Sequence, residues 1–372
     1  MLDPRTLYNI NTDVFDDPAT KGLPLLMSLT GFMDAGQVVS QVSEELMEVL
    51  EHEPVAEFDA DQLIDYRGRR PRITFVEDHL TDYRPHRLGL HRLYDGLGEP
   101  FLLLTGLEPD LQWERFSSAV VGLVKDLEVS IVSWVHAIPM PVPHTRPLGV
   151  TVHGNRPDLI DGMSAWRPTA EFQASIGHVL EMRLIEAGND VVGHVIHVPH
   201  YLAEAEYPPA AVAGLEYLGA SARLVLPTDR LRETGRDVER QIARQVGNST
   251  EVQSVVTSLE QRYDEYADGA ARRSLLVKEN SELASADELG AAVEAYLASP
   301  QAEEESTLLW DTEFLGTTPI DYGSHGSAAG GAGAEGSDAA VGSDESDRSD
   351  GSGSGAPGAT DDDGPSGTRP PS

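Results

Sequence analysis

The chain has 372 residues, a net charge of −35, no cysteine and a mean hydropathy of −0.28. Without cysteine it can form no disulfide, thiolate metal site or cysteine nucleophile, and its negative field repels nucleic acid and anionic lipid surfaces. Its first residues lack the basic and apolar regions of a signal peptide, and nowhere do about 18 apolar residues run together, so a cytoplasmic protein with neither nucleic-acid nor membrane partners is expected.

In chain order, Leu25–Thr30 reads as a short apolar strand that ends at Gly31. A helix follows to about Leu50, with Asp34 as its N-cap and Gln37 three residues on. Polar-flanked strands are predicted at Ile73–Val76 and Leu88–Tyr94. The grammar repeats at Phe101–Thr105, a strand broken by Gly106, with Asp110 opening a helix through Trp113, Phe116, Val120 and Val124. Val129–Ile138 is apolar on both faces, as a central strand of a parallel sheet should be. Further elements are a strand at Val150–Val152, a helix over Ala170–Ala187 closed by Gly188, a strand at Val191–Val198, and a helix opened by Pro208-Pro209. The pattern is that of an α/β fold, a mostly parallel sheet flanked by helices.

From residue 229 the character changes. Val238, Ile242 and Val246 recur at four-residue spacing, Gly247-Asn248 makes a turn, and Val252, Val255, Val256, Leu259, Tyr263 and Tyr266 form a second stripe. Together they predict a C-terminal helical hairpin addition. Ser285 and Glu288 form a capping box for a last helix. From Ile320 the chain carries ten acids against two arginines and almost no large apolar residue, which predicts a disordered acidic tail. Three regions are therefore expected: a sheet domain over 1–228, a helical addition over 229–315 packing on it, and a tail over 316–372.

Chemistry-bearing residues are sparse. The turn Gly31-Phe32-Met33-Asp34-Ala35-Gly36 lies where phosphates often dock, yet it matches neither the GxGxxG nor the P-loop pattern. Capping accounts for Asp34 without a ligand. Glu108 falls at the carboxyl end of a strand, where open α/β sheets bind ligands. In the stiff segment Pro139–Pro147, His144 and Arg146 are presented by a proline-held loop that suits an anion or an oligomer contact. His194, His197 and His200 suggest a metal, but positions three apart on a strand point to opposite faces, so no metal site is expected. Asp34, Glu108, His144 and Arg146 are the candidate ligand or partner contacts. No catalytic motif, cofactor site or metal site is recognised, and no enzyme is expected.

The segments GLPLLMSLTGFMDAG, LTGLEPDLQWERF, IPMPVPHTRP and HVPHYLAEAEYPPAA, with the later LEQRYDEYA, resemble the proteasome assembly chaperone family in its actinobacterial branch. The resemblance implies a nucleoside phosphorylase/hydrolase-like α/β architecture, self-association into a homo-oligomer, and non-catalytic binding to proteasome subunits during assembly. The ending Arg369-Pro370-Pro371-Ser372 departs from the hydrophobic–tyrosine–any-residue ending associated with eukaryotic and archaeal members. The competing expectation is a small-molecule-binding protein or hydrolase/phosphorylase-like enzyme with a pocket at the strands' carboxyl ends.

Overall fold

A computed structural model describes residues 2–32, 34–160 and 171–279, with side chains to 265. The capping-box helix and the acidic tail lie outside the described residues.

In chain order the elements are β1 (Tyr8–Ile10), α1 (Thr12–Phe15), β2 (Leu25–Thr30), α2 (Val38–Val49), β3 (His52–Phe58) and α3 (Ala60–Leu63). There follow β4 (Arg72–Val76), β5 (His79–Arg84), β6 (Leu88–Tyr94), β7 (Pro100–Leu107), α4 (Trp113–Asp126), β8 (Val132–Met140) and β9 (Val150–Gly154). The remainder are α5 (Pro157–Ile160), α6 (Ile176–Glu186), β10 (Val191–Pro199), α7 (Pro208–Ala222), α8 (Asp229–Gly247) and α9 (Thr250–Glu279). Eight strands form one sheet in the order β1-β3-β6-β7-β2-β8-β10-β9. Its centre, β7-β2-β8-β10, is parallel, while β6, β3 and β1 on one side and β9 on the other run antiparallel.

Sequence explains that division. The central strands are buried on both faces: β10 is buried at every position, as are the first four residues of β2. Such strands need apolar side chains in succession. Toward the edge, β3 mixes exposed and buried positions, so it carries glutamates and reads as polar.

Helices cover both faces. On one, Val38, Val42 and Leu46 of α2 and Ala211, Leu215 and Leu218 of α7 pack on Leu26, Leu103, Val135 and Ile196. On the other, Phe116, Val120 and Leu123 of α4 and Leu180 and Leu184 of α6 pack on Leu25, Met27, Leu102 and Leu104. Adjacent strand residues thus feed opposite cores, the period-two rule at work. α8 joins the first core through Leu231 and Ile242. Of the stripe predicted on α9, Val256 and Leu259 are buried, whereas Val252 and Val255 are exposed. Among the described residues no helix is long and apolar enough to cross a membrane.

One expectation is corrected at α4. The helix opens at Trp113, behind Gln112 in a left-handed conformation, and not at Asp110. The Asp110 carboxylate instead accepts the Asp65 N–H at 2.7 Å and pairs with Arg69 at 3.2 Å, fastening the loop after α3.

β4 and β5 form a separate two-stranded hairpin. Phe75 lies opposite Leu80, and the register slips by one residue between the pairs Thr74–Thr81 and Arg72–Arg84. The extra residue is accommodated at Asp82, whose φ is 51°. This bulge sets Asp82 and Tyr83 together opposite Ile73, which brings Tyr83 onto the face that carries Ile73, Phe75 and Leu80.

Candidate functional site

The parallel centre places the ends of β2, β7 and β8 side by side, and this is where a sheet of this kind offers a crevice. Glu108, just past β7, fills it. One carboxylate oxygen accepts the Phe32 N–H from the turn after β2 at 2.9 Å. The other accepts the N–H of Ile176, the first residue of α6, at 2.8 Å. A helix N-terminus and a turn amide are the groups that bind phosphate in nucleotide-binding folds, and here an internal carboxylate occupies them. Gly31 makes room for it, since a Cβ there would lie 2.3 Å from a Glu108 carboxylate oxygen.

Asp34 stands on the other wall. Its carboxylate accepts the N–H groups of Val39 and Ser40 at 2.7 and 3.0 Å and the Ser40 hydroxyl at 2.7 Å. It therefore caps α2 across an intervening tight turn. Burial raises its pKa, and the hydrogen bonds from Ser40 and Val39 offset part of that rise. Between Asp34, Glu108, His136 and Ser175 is a cavity of about 20 Å³, room for roughly one water molecule.

Behind the cavity the sequence reading missed a cluster of histidines. Trp134 and His136 of β8 stack at 4.7 Å, with His153 of β9 and His178 of α6 edge-on to them. Glu181 accepts from Trp134 Nε1 at 2.5 Å and meets His153 Nδ1 at 2.9 Å. Neither ring nitrogen of His136 has a hydrogen-bond partner among the described residues. Burial, with like-charge neighbours second, drives its pKa well below the usual imidazole range. No group of three or more potential ligands that could hold a metal occurs among the described residues. β-strand alternation would have placed His136 and Trp134 on one face, but nothing in the sequence brings α6 and β9 to them.

His144 and Arg146 line neither this cavity nor its walls. Tyr201, in the turn after β10, accepts the His144 N–H at 2.9 Å and meets its Nδ1 at 2.7 Å. Arg146 forms a two-pronged pair with Asp264 of α9, both bonds at 2.7 Å, and reaches Glu260 at 3.4 Å. Tyr263 donates its hydroxyl to the Pro147 carbonyl at 2.9 Å. The proline-rich loop is thus latched to α9. The four candidates divide into two places: Asp34 and Glu108 at the strand ends, His144 and Arg146 at the latch. Because the Arg146–Asp264 pair is solvent-exposed, R146A is expected to cost only about 0.5–1 kcal/mol in urea denaturation. A loss above about 2 kcal/mol would show that the latch carries the fold.

A larger groove of about 480 Å³ runs between α7 and α8, floored by Leu148, Val212 and Leu231 and edged by Glu216 and Glu239. No sequence signal marked it.

The molecule is therefore an α/β sheet protein whose crevice is closed by its own side chains and whose proline-rich loop is held by a helical hairpin. It belongs to the PAC2 family, whose model matches residues 28–246. A Mycobacterium tuberculosis protein of unknown function is 41% identical, with a TM-score of 0.67 over 72% of this chain and 92% of that one. A PAC2 family protein from Streptomyces avermitilis is 25% identical, with a TM-score of 0.54 over 62% of this chain and 98% of that one. A proteasome-assembly chaperone homologue from M. tuberculosis, 22% identical, shares the fold with a TM-score of 0.58 over 63% of this chain and all (100%) of that one. Comparison with curated proteins yields no match.

Proposed function

We propose that this chain is a non-catalytic, self-associating binding protein of the cytoplasm that assists assembly of a protein complex, with proteasome subunits as its partner class. The observation that carries the reading is the filled crevice. Ligand pockets enclose about 300–1,000 Å³, whereas the strand ends here leave about 20 Å³ and present no free anion-receptive amide at Phe32 or Ile176. Family membership and the shared fold of a proteasome-assembly chaperone homologue support the partner class. The enzyme reading at the same place would need Glu108 displaced and the cavity enlarged more than tenfold.

The test is capture of proteasome α-type subunits from the native host, followed by reconstitution with purified subunits. A complex that forms with the free subunits and dissociates once they assemble is the expected result. Absence of any complex with purified subunits would overturn the reading.

A further inference from the structure

We propose that the groove between α7 and α8 is the docking site for residues 303–315 of this same chain. The inference does not rest on the assembly reading above, and either can fail alone.

The groove combines an apolar floor with a basic lip. Leu148, Val212 and Leu231 floor its volume of about 480 Å³, which falls in the range that encloses a bound ligand. On α8, Arg232, Arg236, Arg240 and Arg244 recur at four-residue spacing, and all are exposed. Residues four apart share a helix face, so the four form a row that begins at the groove, where Arg232 and Arg236 line it. Arg232 pairs with Glu216 and Arg240 with Asp237. Arg236 and Arg244 have no acidic partner among the described residues. Such a row is unusual in a chain of net charge −35, and with the apolar floor it selects an acidic occupant that carries apolar anchors.

Residues 303–315, EEESTLLWDTEFL, have that chemistry. They lie outside the described residues. They hold five acids and no base, and Leu308, Leu309, Trp310, Phe314 and Leu315 form the last dense apolar cluster of the chain. The Gly/Ser/Asp-rich sequence beyond has almost nothing apolar with which to cover them, and soluble proteins rarely leave such a cluster in water. In the proposed complex Trp310 and Phe314 seat on the floor, while Asp311, Glu313 and the glutamates at 303–305 meet the arginines.

Reach is sufficient. Tyr263 of α9 bonds the carbonyl of Pro147, next to Leu148 on the groove floor. From there α9 continues 16 residues to Glu279, which carries the chain about 24 Å past that point. The 28 residues between Glu279 and Leu308 span roughly 26–32 Å as a flexible coil, so the tether matches the return distance. At such a match the effective concentration is about millimolar, and a contact with a Kd of only about 0.1 mM is about 90% occupied. No large interface is needed. Docked there, the segment closes the groove to competing partners.

Fluorine NMR of the full chain, labelled with 5-fluorotryptophan at its four tryptophans, tests this, with the Trp310 line assigned by W310F. The wild-type line is expected to be broad and displaced from free 5-fluorotryptophan, as for a residue docked about 90% of the time. R232E/R236E is expected to weaken docking at least tenfold and to move the line at least halfway to the free position. Its melting temperature should not change, because both side chains are exposed. A213E sets a carboxylate on the facing wall; it is expected to act alike and serves if the first variant fails to fold. L308S/F314S, which alters only the segment, is expected to free Trp310 equally. A Trp310 line at the free position in the wild type would overturn the proposal. So would a line that stays in place in a folded groove variant or in L308S/F314S. A line that moves toward the free position on dilution from about 100 to 10 μM would do so too, since the groove would then belong to a second copy.

Discussion

Lowering the pH from 7 to 5 is expected to remove on the order of 5–10 kcal/mol of stability, enough to unfold a domain of ordinary stability. The cause is a set of histidines held neutral by the fold. Burial lowers His91, His178, His194 and His197 to about 4, and His136 is lowered by burial with its histidine neighbours adding to it. In the unfolded chain each returns to about 6.5. Above that value neither state binds these protons, so the fold has its full stability. Below it the unfolded chain binds protons that the folded chain refuses, and stability falls until the folded pKa near 4 is passed. At pH 5 each of the four histidines lowered to about 4 contributes a loss of about 2 kcal/mol at most. Asp34 works weakly the other way, since its raised pKa favours the folded state in acid. Asp95 is lowered despite burial by backbone N–H groups of Val225, Glu99 and Leu97, and its contribution is lost only below about pH 4. Urea midpoints measured every half pH unit should drop steeply below 6.5, with several protons taken up per molecule on unfolding. A midpoint that stays level from pH 7 to 5 would show that the histidines are accessible to protons in the folded state.

The second large effect concerns the filled crevice. E108A leaves the amides of Phe32 and Ile176 without their acceptor, at about 1–3 kcal/mol each when buried. A total of about 3–5 kcal/mol corresponds to a melting temperature lowered by roughly 6–15 °C in a domain of this size. E108Q, which keeps one carbonyl acceptor, should lose about half as much. G31A forces a methyl group against the same carboxylate, 2.3 Å from its oxygen and 2.6 Å from Glu108 Cβ, and should cost a similar amount. E108A removes the carboxylate oxygen but keeps the Cβ 2.6 Å from the new methyl, so G31A/E108A should fall short of the sum by only about 1 kcal/mol. Additive losses in the double mutant would mean that Gly31 makes room for the Cβ of residue 108 and not for the carboxylate.

The central strands could be read directly because burial on both faces demands runs such as Leu25-Leu26-Met27 and Phe101–Leu104. At one edge, β1 and β3 could not. β1 and β3 pair with each other through backbone groups, which leave no mark on side-chain choice. Asp110 has the composition of an N-cap, yet the Asp65 N–H it accepts lies 45 residues earlier in the chain. The position of Glu108 at a strand end was readable, but its donors are separated from it by 76 and 68 residues. The latch is hidden for the same reason: Arg146 and Asp264 are 118 residues apart. Each of the two segments looked distinctive, and only the fold makes them one feature.

The strand order also constrains synthesis of the chain. β2 is flanked by β7 and β8, both of which come later in the sequence. Its apolar run therefore leaves the ribosome before either neighbour exists, and must wait until residue 107 for the first and residue 132 for the second. At about 5–20 residues per second, that interval lasts roughly 5–20 s, a window in which a nascent-chain chaperone has a six-residue apolar strand to hold and a neighbouring ribosome's product has one to capture.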